Sequence, residues 1–160
     1  MINRSILQYL QESLAVFPVV LLCGARQVGK STLVLSLCEH YITLDDITQL
    51  DGAREDPKLF IQELLRPIVI DEIQKAPELL PAIKEEVDLK RKNGDFLLTG
   101  SANLLGYKKV TESLAGRMGV MELLPLSCRE MANRADANLA DDLFSAEWPN
   151  NKTPQSSNLL

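Results

Sequence analysis

The segment from residue 17 to residue 31 constrains the fold of this chain more than any other. Residues 17–23 form an unbroken apolar run that ends at Gly24. Residues 24–31 then read Gly-Ala-Arg-Gln-Val-Gly-Lys-Ser, and apolar residues return at helical spacing over 30–40. A short continuous apolar run is typical of a strand that is buried on both faces of a parallel sheet. The segment therefore predicts a strand, a glycine-containing loop and a helix in succession.

Strands and helices are predicted to alternate over the rest of the chain. Apolar runs predict further strands at 41–44, 68–70, 96–99 and 120–124, and helical spacing predicts helices at 2–14, 59–65, 79–87 and 110–114. Ser127, with Glu130 three residues later, fits the start of another helix. Such alternation indicates an α/β fold with a parallel sheet. We place the domain at residues 1–132 and predict a polar, frayed or disordered tail at 133–160.

Composition excludes several classes of protein. The 160 residues carry 17 Lys+Arg against 22 Asp+Glu, a net charge of −5, so the chain lacks the basic surplus of nucleic-acid-binding proteins. Cys23, Cys38 and Cys128 form no Cys-x-x-Cys pair, which disfavours a disulfide framework or a zinc site. The apolar runs are far shorter than the roughly 20 residues of a membrane-spanning helix, and no signal peptide opens the chain. We expect a cytoplasmic protein without direct nucleic-acid or membrane binding.

Residues 24–31 fit the pattern Gly-x-x-x-x-Gly-Lys-[Ser/Thr] of the phosphate-binding loop, between a buried strand and a helix as that loop requires. Glycines allow the backbone to turn consecutive N–H groups toward phosphate oxygens, and the following helix adds its positive dipole end. We expect Lys30 to contact the β and γ phosphates of a nucleotide and the Ser31 hydroxyl to bind Mg²⁺. The candidate nucleotide-binding residues here are Gly24, Ala25, Arg26, Gln27, Val28, Gly29, Lys30, Ser31 and Thr32. A turn that precedes Lys-Ser by chance is the alternative.

Two carboxylates follow the apolar strand predicted at 68–70. Asp71 and Glu72 lie at its C-terminal end, where ligands bind in parallel α/β sheets. Asp71 can hold Mg²⁺ through the water shell of the ion. Glu72 is then placed to orient or deprotonate the water that attacks the γ-phosphorus. The alternative is an acidic pair that is merely solvated.

Further polar residues are candidates with stronger alternatives. Thr99 and Ser101 follow the strand predicted at 96–99 and could contact the γ-phosphate or the attacking water, but such residues are also ordinary turn residues. Arg117 is a candidate catalytic arginine that would stabilise transition-state charge in cis or in trans, and a surface ion pair is its alternative. Asp45 and Asp46 could approach the nucleotide or Mg²⁺, but an acidic turn or a helix N-terminus is favoured.

Several stretches of the chain together resemble a known family. They are 69–80 (Val-Ile-Asp-Glu-Ile-Gln-Lys-Ala-Pro-Glu-Leu-Leu), 96–101 (Phe-Leu-Leu-Thr-Gly-Ser), 112–117 (Glu-Ser-Leu-Ala-Gly-Arg) and 124–127 (Leu-Pro-Leu-Ser). They are similar to the prokaryotic AAA-type P-loop ATPases of uncharacterised role, members of the AAA+ superfamily. The likeness extends from Arg4 to Glu130.

The resemblance implies a three-layer α/β fold in which helices flank a five-stranded parallel sheet. It also implies that the strand bearing the catalytic acid, although not the next in sequence after the phosphate-loop strand, lies beside it in space. It assigns Thr99 or Ser101 to nucleotide sensing and makes Arg117 the characteristic arginine of the family. Family members usually continue into a C-terminal domain of unknown function, whereas this chain ends soon after Glu130 in a polar tail. We therefore expect a naturally shortened member, a fragment of a disrupted gene or an artificial boundary.

The leading functional hypothesis is an ATPase that binds Mg·ATP and hydrolyses its β–γ bond through a water held by Glu72, with Lys30 and Arg117 as the other catalytic residues. The choice of ATP over GTP rests on the resemblance. A second hypothesis is a nucleotide-binding switch, or inactive fragment, that binds ATP without significant turnover and regulates a partner. A small-molecule kinase is disfavoured because the adjacent acidic pair suits water activation. AAA-type enzymes often complete their site with a neighbouring subunit, so a homo-oligomer is also considered.

Overall fold

A computed structural model describes residues 2–101 and 114–131. Within these ranges the strands are β1 (Val19–Gly24), β2 (His40–Thr43), β3 (Ile68–Asp71), β4 (Phe96–Ser101) and β5 (Met118–Glu122). The helices are α1 (Leu7–Val16), α2 (Lys30–Val34), α3 (Ile47–Glu55), α4 (Pro57–Glu63), α5 (Leu79–Lys90) and α6 (Cys128–Met131), with a 3-10 helix at Ile73–Lys75. None of these described helices is long and apolar enough to cross a membrane. The helix predicted at 110–114 lies almost wholly, and the tail predicted at 133–160 entirely, outside the described residues.

The described strands form one parallel sheet in the order β2-β3-β4-β1-β5. All six residues of β1 are buried, as the continuous apolar run predicts. The prediction that the strand of the catalytic acid lies beside the phosphate-loop strand is wrong, because β4 lies between β3 and β1. Leu97 of β4 pairs with Val20 on one side and with Val69 on the other. Residues 96–98 of β4 are fully buried. The strands β3 and β1 on either side of β4 provide hydrogen-bond partners for its backbone N–H and carbonyl groups.

Helices cover both faces of the sheet and produce the three predicted layers. Side chains alternate along β1, so that Val19 and Leu21 belong to one apolar core while Val20 and Leu22 belong to the other. The first core includes residues of α3, α4 and α5, among them Ala53, Ile61 and Ile83. The second includes residues of α1 and α2, among them Leu10 and Leu33. The α/β fold class predicted from the sequence is confirmed.

The second helix, α2, is much shorter than the helix predicted at 30–40. It ends at Val34, where the Ser36 hydroxyl donates a 2.6 Å hydrogen bond to the Leu33 carbonyl and the Ser36 N–H donates to the same oxygen at 3.2 Å. Bonds that reach back three residues tighten the chain into turns and compete with the helical pattern. His40 therefore begins β2 and does not end a helix.

A helix that was not predicted, α3, precedes α4. It begins after Asp46, whose carboxylate accepts the N–H of Thr48 at 2.8 Å. This confirms the favoured interpretation of Asp46 as a helix N-terminal residue. Only Ala53 of α3 is buried, so the segment carries no apolar stripe from which a helix could be predicted.

The helix start predicted at Ser127 is confirmed. The Glu130 N–H donates to Ser127 Oγ at 3.2 Å, and the Glu130 carboxylate accepts the Ser127 N–H at 2.8 Å. These reciprocal bonds form a capping box. The same carboxylate pairs with Arg4, so the start of α6 is tied to the N-terminal segment.

Candidate functional site

The carboxyl ends of β1, β3 and β4 lie at one edge of the sheet because the strands are parallel. β1 ends at Gly24, β3 at Asp71 and β4 at Ser101. Gly24 has φ +155°, and a Cβ on it would lie 2.5 Å from the Leu123 carbonyl oxygen. Only glycine fits where the chain leaves β1. The polar segments predicted as a site therefore come together at this carboxyl edge.

The segment 24–31, called the 24–31 loop below, turns tightly over this edge. Gly29 has φ +93°, in the left-handed region that glycine adopts without strain. The next residue, Lys30, begins α2 and is buried. Its Nζ donates hydrogen bonds to the carbonyls of Gly24 at 3.0 Å and Ala25 at 2.8 Å. The ammonium group is thus held inside the loop by the backbone of the loop itself.

Three hydroxyl groups converge on the carboxylate of Asp71. Ser31 Oγ donates to Oδ2 at 3.0 Å and Tyr41 OH donates to the same oxygen at 2.7 Å, while the Thr99 hydroxyl donates to Oδ1. Burial, together with the hydrogen bond to Asp71, raises the pKa of Tyr41 to about 12. The phenol therefore remains a donor at neutral pH. Hydroxyl and carboxylate oxygens are the ligands that Mg²⁺ prefers, so Ser31 and Asp71 fit a magnesium ion.

Glu72 adopts a left-handed backbone conformation with φ +62°, which is uncommon for a residue other than glycine. Its N–H donates to Thr99 Oγ1 at 3.2 Å. Its carboxylate accepts a hydrogen bond from the Gln74 side-chain amide, and the amide oxygen of Gln74 accepts the Ser101 N–H at 3.4 Å. Gln74 therefore bridges the candidate catalytic acid and the end of β4.

A cavity of about 730 Å³, the loop cavity, opens between the 24–31 loop and the residues that follow β2 and β3. Its walls are formed by Arg26, Gln27, Gly29, Lys30, Ser31, Thr32, Asp45, Glu72, Gln74 and Lys75. The cavity thus contains seven of the predicted site residues and also Asp45, which forms an ion pair with Lys75. Six other predicted residues do not line it: Gly24, Ala25, Val28, Asp71, Thr99 and Ser101.

A second cavity, of about 390 Å³, adjoins the loop cavity because Gln27, Gly29 and Thr32 line both. The rest of its wall is mostly apolar and consists of Ile2, Arg4, Val28, Leu33, Pro125 and Leu126. We call it the apolar cavity. A ligand that joins a charged group to a flat apolar group can occupy the two cavities together.

Arg117 lies at the opposite edge of the sheet. Its carbonyl accepts the N–H of Val19 at the start of β1, whereas the 24–31 loop follows the end of that strand. At 3.3 Å per residue the strand separates the two positions by about 17 Å. The Arg117 guanidinium pairs with Asp88 of α5 beside a cavity of about 480 Å³. Within one copy of the chain, the structure does not bring Arg117 to the other candidate residues.

Three residues around the site, Tyr41, Gln74 and Arg4, were not predicted from the sequence. Tyr41 lies 30 positions before Asp71, and no local pattern marks it. Gln74 lies two residues after Glu72, and this proximity in sequence to the acidic pair could have identified it as a site residue. Arg4 donates to the Val28 carbonyl at 2.8 Å and is the only charged side chain among the first eleven residues. A single charged residue within an apolar helical stripe could have indicated that Arg4 has a specific buried partner.

Residues 16–132 match the family model described as AAA domain. The match covers well over half of the 160 residues. The chain belongs to this family and is an AAA-type P-loop ATPase domain.

Two curated relatives and one solved structure show the extent of the likeness. An uncharacterized protein of Mycobacterium bovis and one of Mycobacterium tuberculosis are each 39% identical to the chain over 123 residues, 74% of its length. The chain spans only 27% of the length of each relative. A Walker-type ATPase of Pyrococcus abyssi superposes with a TM-score of 0.54 and 19% identity, over 81% of this chain and 55% of that chain. This last likeness shows the fold alone.

Proposed function

We propose that this chain binds Mg·ATP across the loop cavity and the apolar cavity and hydrolyses the β–γ phosphoanhydride bond. The observation that carries the proposal is the meeting of the 24–31 loop, Asp71 and Glu72 at one edge of the sheet, with Glu72 in the wall of the loop cavity. Membership of a P-loop ATPase family supports it. In this proposal residues 1–132 form the ATP-binding domain, and the family match over 16–132 supports that extent.

Lys30 is the proposed contact to the β and γ phosphates. In the structure its Nζ donates to the carbonyls of Gly24 and Ala25, which are neutral acceptors. Phosphate oxygens carry negative charge, so they attract the ammonium by a Coulomb interaction that a neutral carbonyl lacks. We therefore expect Lys30 to exchange these carbonyls for phosphate oxygens, while the backbone N–H groups of the 24–31 loop surround the phosphates.

Ser31 and Asp71 are the proposed magnesium-binding residues, with Asp71 acting directly or through water. An ion held there would supply positive charge that offsets the charge of the phosphates. Ser31 Oγ can present a lone pair to the metal while its hydrogen stays directed at Asp71 Oδ2, 3.0 Å away. Tyr41 and Thr99 hold the carboxylate in its orientation.

Glu72 is the proposed catalytic base. Its carboxylate would orient a water and take its proton as the new oxygen–phosphorus bond forms and the bond to the β–γ bridging oxygen breaks. The left-handed backbone of Glu72 ends the extended conformation of β3, and its N–H donates to Thr99 Oγ1. Such constrained residues are frequent at active sites.

Thr99 and Ser101 are proposed to sense the nucleotide through their neighbours. The Thr99 hydroxyl connects Asp71 with the Glu72 N–H. The Ser101 N–H reaches Glu72 through Gln74. A shift of Glu72 that accompanies the presence or absence of the γ-phosphate would therefore be transmitted to the end of β4.

The apolar cavity supports a nucleotide as the ligand in preference to phosphate or polyphosphate alone. Val28, Leu33 and Pro125 offer apolar contacts for a purine base. The wall shared with the loop cavity allows the base and the phosphates of one molecule to be bound side by side. The family supports adenine as the base.

A nucleotide-binding switch with little turnover is the second candidate, and two contacts favour it. Gln74 engages the Glu72 carboxylate, and Arg117 is paired with Asp88 at the far edge of the sheet. A single copy of the chain then lacks Arg117 near the γ-phosphate, and an arginine of this kind contributes about 10³–10⁵ in rate where it operates. For the ATPase, in contrast, we propose that Arg117 of one copy acts in trans on the nucleotide of a neighbouring copy, in a homo-oligomer.

Calorimetric titration with Mg·ATP tests the binding site. Lys30→Ala is expected to weaken binding about 10–100-fold, because a charge-assisted hydrogen bond contributes about 1.5–3 kcal/mol. Lys58→Ala is the matched control, since Lys58 is an exposed lysine paired with Glu85 on the surface of α4 and α5. An affinity of Lys30→Ala equal to that of the control would contradict the proposed site.

Phosphate release from Mg·ATP, measured over a range of protein concentrations, separates the two candidate functions. Glu72→Gln is the control, because it keeps the shape of the side chain and removes the base. Turnover per copy that rises with concentration and is absent from Glu72→Gln supports an oligomeric ATPase. Binding of Mg·ATP without turnover above that of Glu72→Gln supports the switch.

A further inference from the structure

A buried arginine connects three parts of the chain that are remote in sequence. Arg4 is 9% exposed. Its Nη1 donates to the Val28 carbonyl at 2.8 Å, its Nη2 to the Leu124 carbonyl at 2.6 Å and its Nε to the Glu130 carboxylate at 3.2 Å. The guanidinium is a rigid planar group with donors in fixed directions. The three bonds therefore fix the 24–31 loop, the exit of β5 and the start of α6 relative to one another.

The partner of this arginine, Glu130, accepts further hydrogen bonds. Its Oε1 also accepts the N–H of Ser5 at 2.9 Å, and its Oε2 accepts the N–H of Ser127 at 2.8 Å. Burial alone would raise the pKa of Glu130, but the N–H donors of Ser127 and Ser5 and the charge of Arg4 outweigh it and lower the pKa to about 2. The pair is ionised at neutral pH. Neither partner can turn away without leaving a buried charge unpaired.

The bond from Arg4 to Val28 acts on the backbone of the 24–31 loop. The Val28 carbonyl and the Gly29 N–H belong to one planar trans peptide and point in opposite directions. Holding the carbonyl therefore sets the direction of the Gly29 N–H. Gly29 lines both cavities, and its backbone is the least restricted of any residue type. The hydrogen bond from Arg4 is the contact that holds the carbonyl side of this peptide.

We propose that Arg4 is a positioning residue for the 24–31 loop and that the Arg4–Glu130 ion pair couples nucleotide binding at this loop to the segment 124–131. The inference rests on the proposed function, because it concerns the same nucleotide site. Arg4 acts through the Val28–Gly29 peptide. Coupling between two sites is reciprocal. Nucleotide at the loop stabilises the contacts of Glu130, and a change within 124–131 alters the affinity for nucleotide.

A second buried ion pair offers a matched control. Arg66 and Glu86 have side chains that are 9% and 6% exposed, compared with 9% and 7% for Arg4 and Glu130. Arg66 also donates to a backbone carbonyl, that of Ile61, at 2.9 Å. These partners of Arg66 belong to α4 and α5. Replacing Arg66 removes an ion pair of equal burial, and Glu86 keeps Lys90 as a partner at 2.7 Å. Replacing Arg4 removes an ion pair and also the contact to the loop.

The test compares Arg4→Lys, Arg4→Met and Arg66→Met with the wild type. Calorimetry measures the affinity for Mg·ADP, which is not hydrolysed, and hydrogen exchange is followed at the Ser5 and Ser127 amides that donate to Glu130. We expect Mg·ADP to slow exchange at both amides in the wild type and in Arg66→Met. In Arg4→Met we expect about tenfold weaker binding and no effect of Mg·ADP on exchange. Arg4→Lys keeps the charge beside Glu130 but loses the planar fork, so it is expected to fold and still to bind more weakly.

The outcomes distinguish the inference from the function on which it rests. A wild type that does not bind Mg·ADP overturns the nucleotide site and the inference with it. A wild type that binds, together with Arg4 variants of unchanged affinity, overturns the inference alone. An equal loss of affinity in Arg4→Met and Arg66→Met also overturns it, because a general loss of stability then explains both. If Arg4→Met does not fold, the affinity of Arg4→Lys for Mg·ADP, compared with the wild type and Arg66→Met, tests the inference in its place.

Discussion

Ser31 Oγ at the start of α2 donates a hydrogen bond of 3.0 Å to Oδ2 of Asp71 at the end of β3, although the two residues are 40 positions apart in the chain. The strands that carry these segments are not neighbours, since β4 lies between them. The contact therefore crosses the carboxyl edge of the sheet and joins the two proposed magnesium ligands. Ligands that are already close need little rearrangement to bind an ion, which favours tight binding.

Asp71→Asn is expected to remove the magnesium dependence of nucleotide binding. The asparagine side chain lacks the negative charge of Asp71. Its NH₂ group can also place a donor where the hydroxyls of Ser31 and Tyr41 now donate. We expect the enhancement of ADP affinity by Mg²⁺ to fall about 10–100-fold, as is typical when the environment of a metal ligand is disrupted. Calorimetry with and without Mg²⁺ measures the effect. Asp51→Asn, the same charge change at an exposed position of α3, should keep the full enhancement. The same enhancement in both variants would rule out Asp71 as a ligand.

We expect the Arg117→Ala and Glu72→Gln proteins each to be inactive alone. A mixture of the two is expected to regain turnover. Arg117 lies about 17 Å along β1 from the 24–31 loop of its own chain, so it can reach a nucleotide only on a neighbouring copy. In a mixed oligomer, a copy with Arg117→Ala keeps its own Glu72 and can receive Arg117 from the other copy. Phosphate release by the mixture, compared with that of each protein alone, measures the recovery.

The control for this mixing experiment is a mixture of Lys30→Ala with Glu72→Gln. Lys30 and Glu72 line one cavity of one chain, so no exchange of copies rebuilds a complete site. This mixture should stay inactive. If the mixture containing Arg117→Ala also stays inactive, the prediction that Arg117 completes the site of a neighbouring copy is wrong.

The parts of the candidate site that could be predicted are those whose residues are neighbours in the chain. In the 24–31 loop and in the Asp71–Glu72 pair, the chemical groups and the backbone that positions them belong to the same few residues. The contacts of Tyr41 with Asp71 and of Arg4 with Glu130 span 30 and 126 positions. Such contacts depend on which helices and strands pack together in the fold, and local sequence patterns do not predict this packing.

The errors in the predicted fold have related physical causes. The position of β4 between β3 and β1 is set by packing on both of its sides, and a crossover connection allows parallel strands to be neighbours in many orders. α2 ends early because Ser36 bonds back to the Leu33 carbonyl, a competition that apolar spacing does not reveal. α3 lacks an apolar stripe and could be recognised only by its cap, Asp46.

Gly24→Ala is expected to destabilise the protein strongly, by at least about 3 kcal/mol, because the added Cβ meets the Leu123 carbonyl oxygen at 2.5 Å in a backbone conformation that favours glycine. Gly116→Ala is the control for backbone strain alone. Gly116 has φ +73°, and its Cβ would meet no atom of the described residues within 4 Å, so we expect a loss of about 1 kcal/mol. Urea unfolding measures both free energies. Equal losses would show that the contact with Leu123 relaxes at no cost.

Glu130→Gln is expected to lower the free energy of unfolding at neutral pH and to make it less sensitive to acid. The pKa of Glu130 is lowered from 4.5 to about 2 in the folded protein. A carboxyl group with a lowered folded-state pKa stabilises the fold above its unfolded-state pKa, and this stabilisation is lost as the pH falls through the folded-state value. The shift corresponds to about 3 kcal/mol.

Urea unfolding of the wild type and Glu130→Gln between pH 7 and pH 2 measures this contribution. The difference between their free energies of unfolding should be constant above about pH 4.5 and should shrink steadily toward pH 2, because only the wild type takes up the proton in that window. A difference that stays constant across the whole range would mean that the charge of Glu130 contributes nothing. The contacts with Arg4, Ser5 and Ser127 would then stabilise α6 through packing and neutral hydrogen bonds alone.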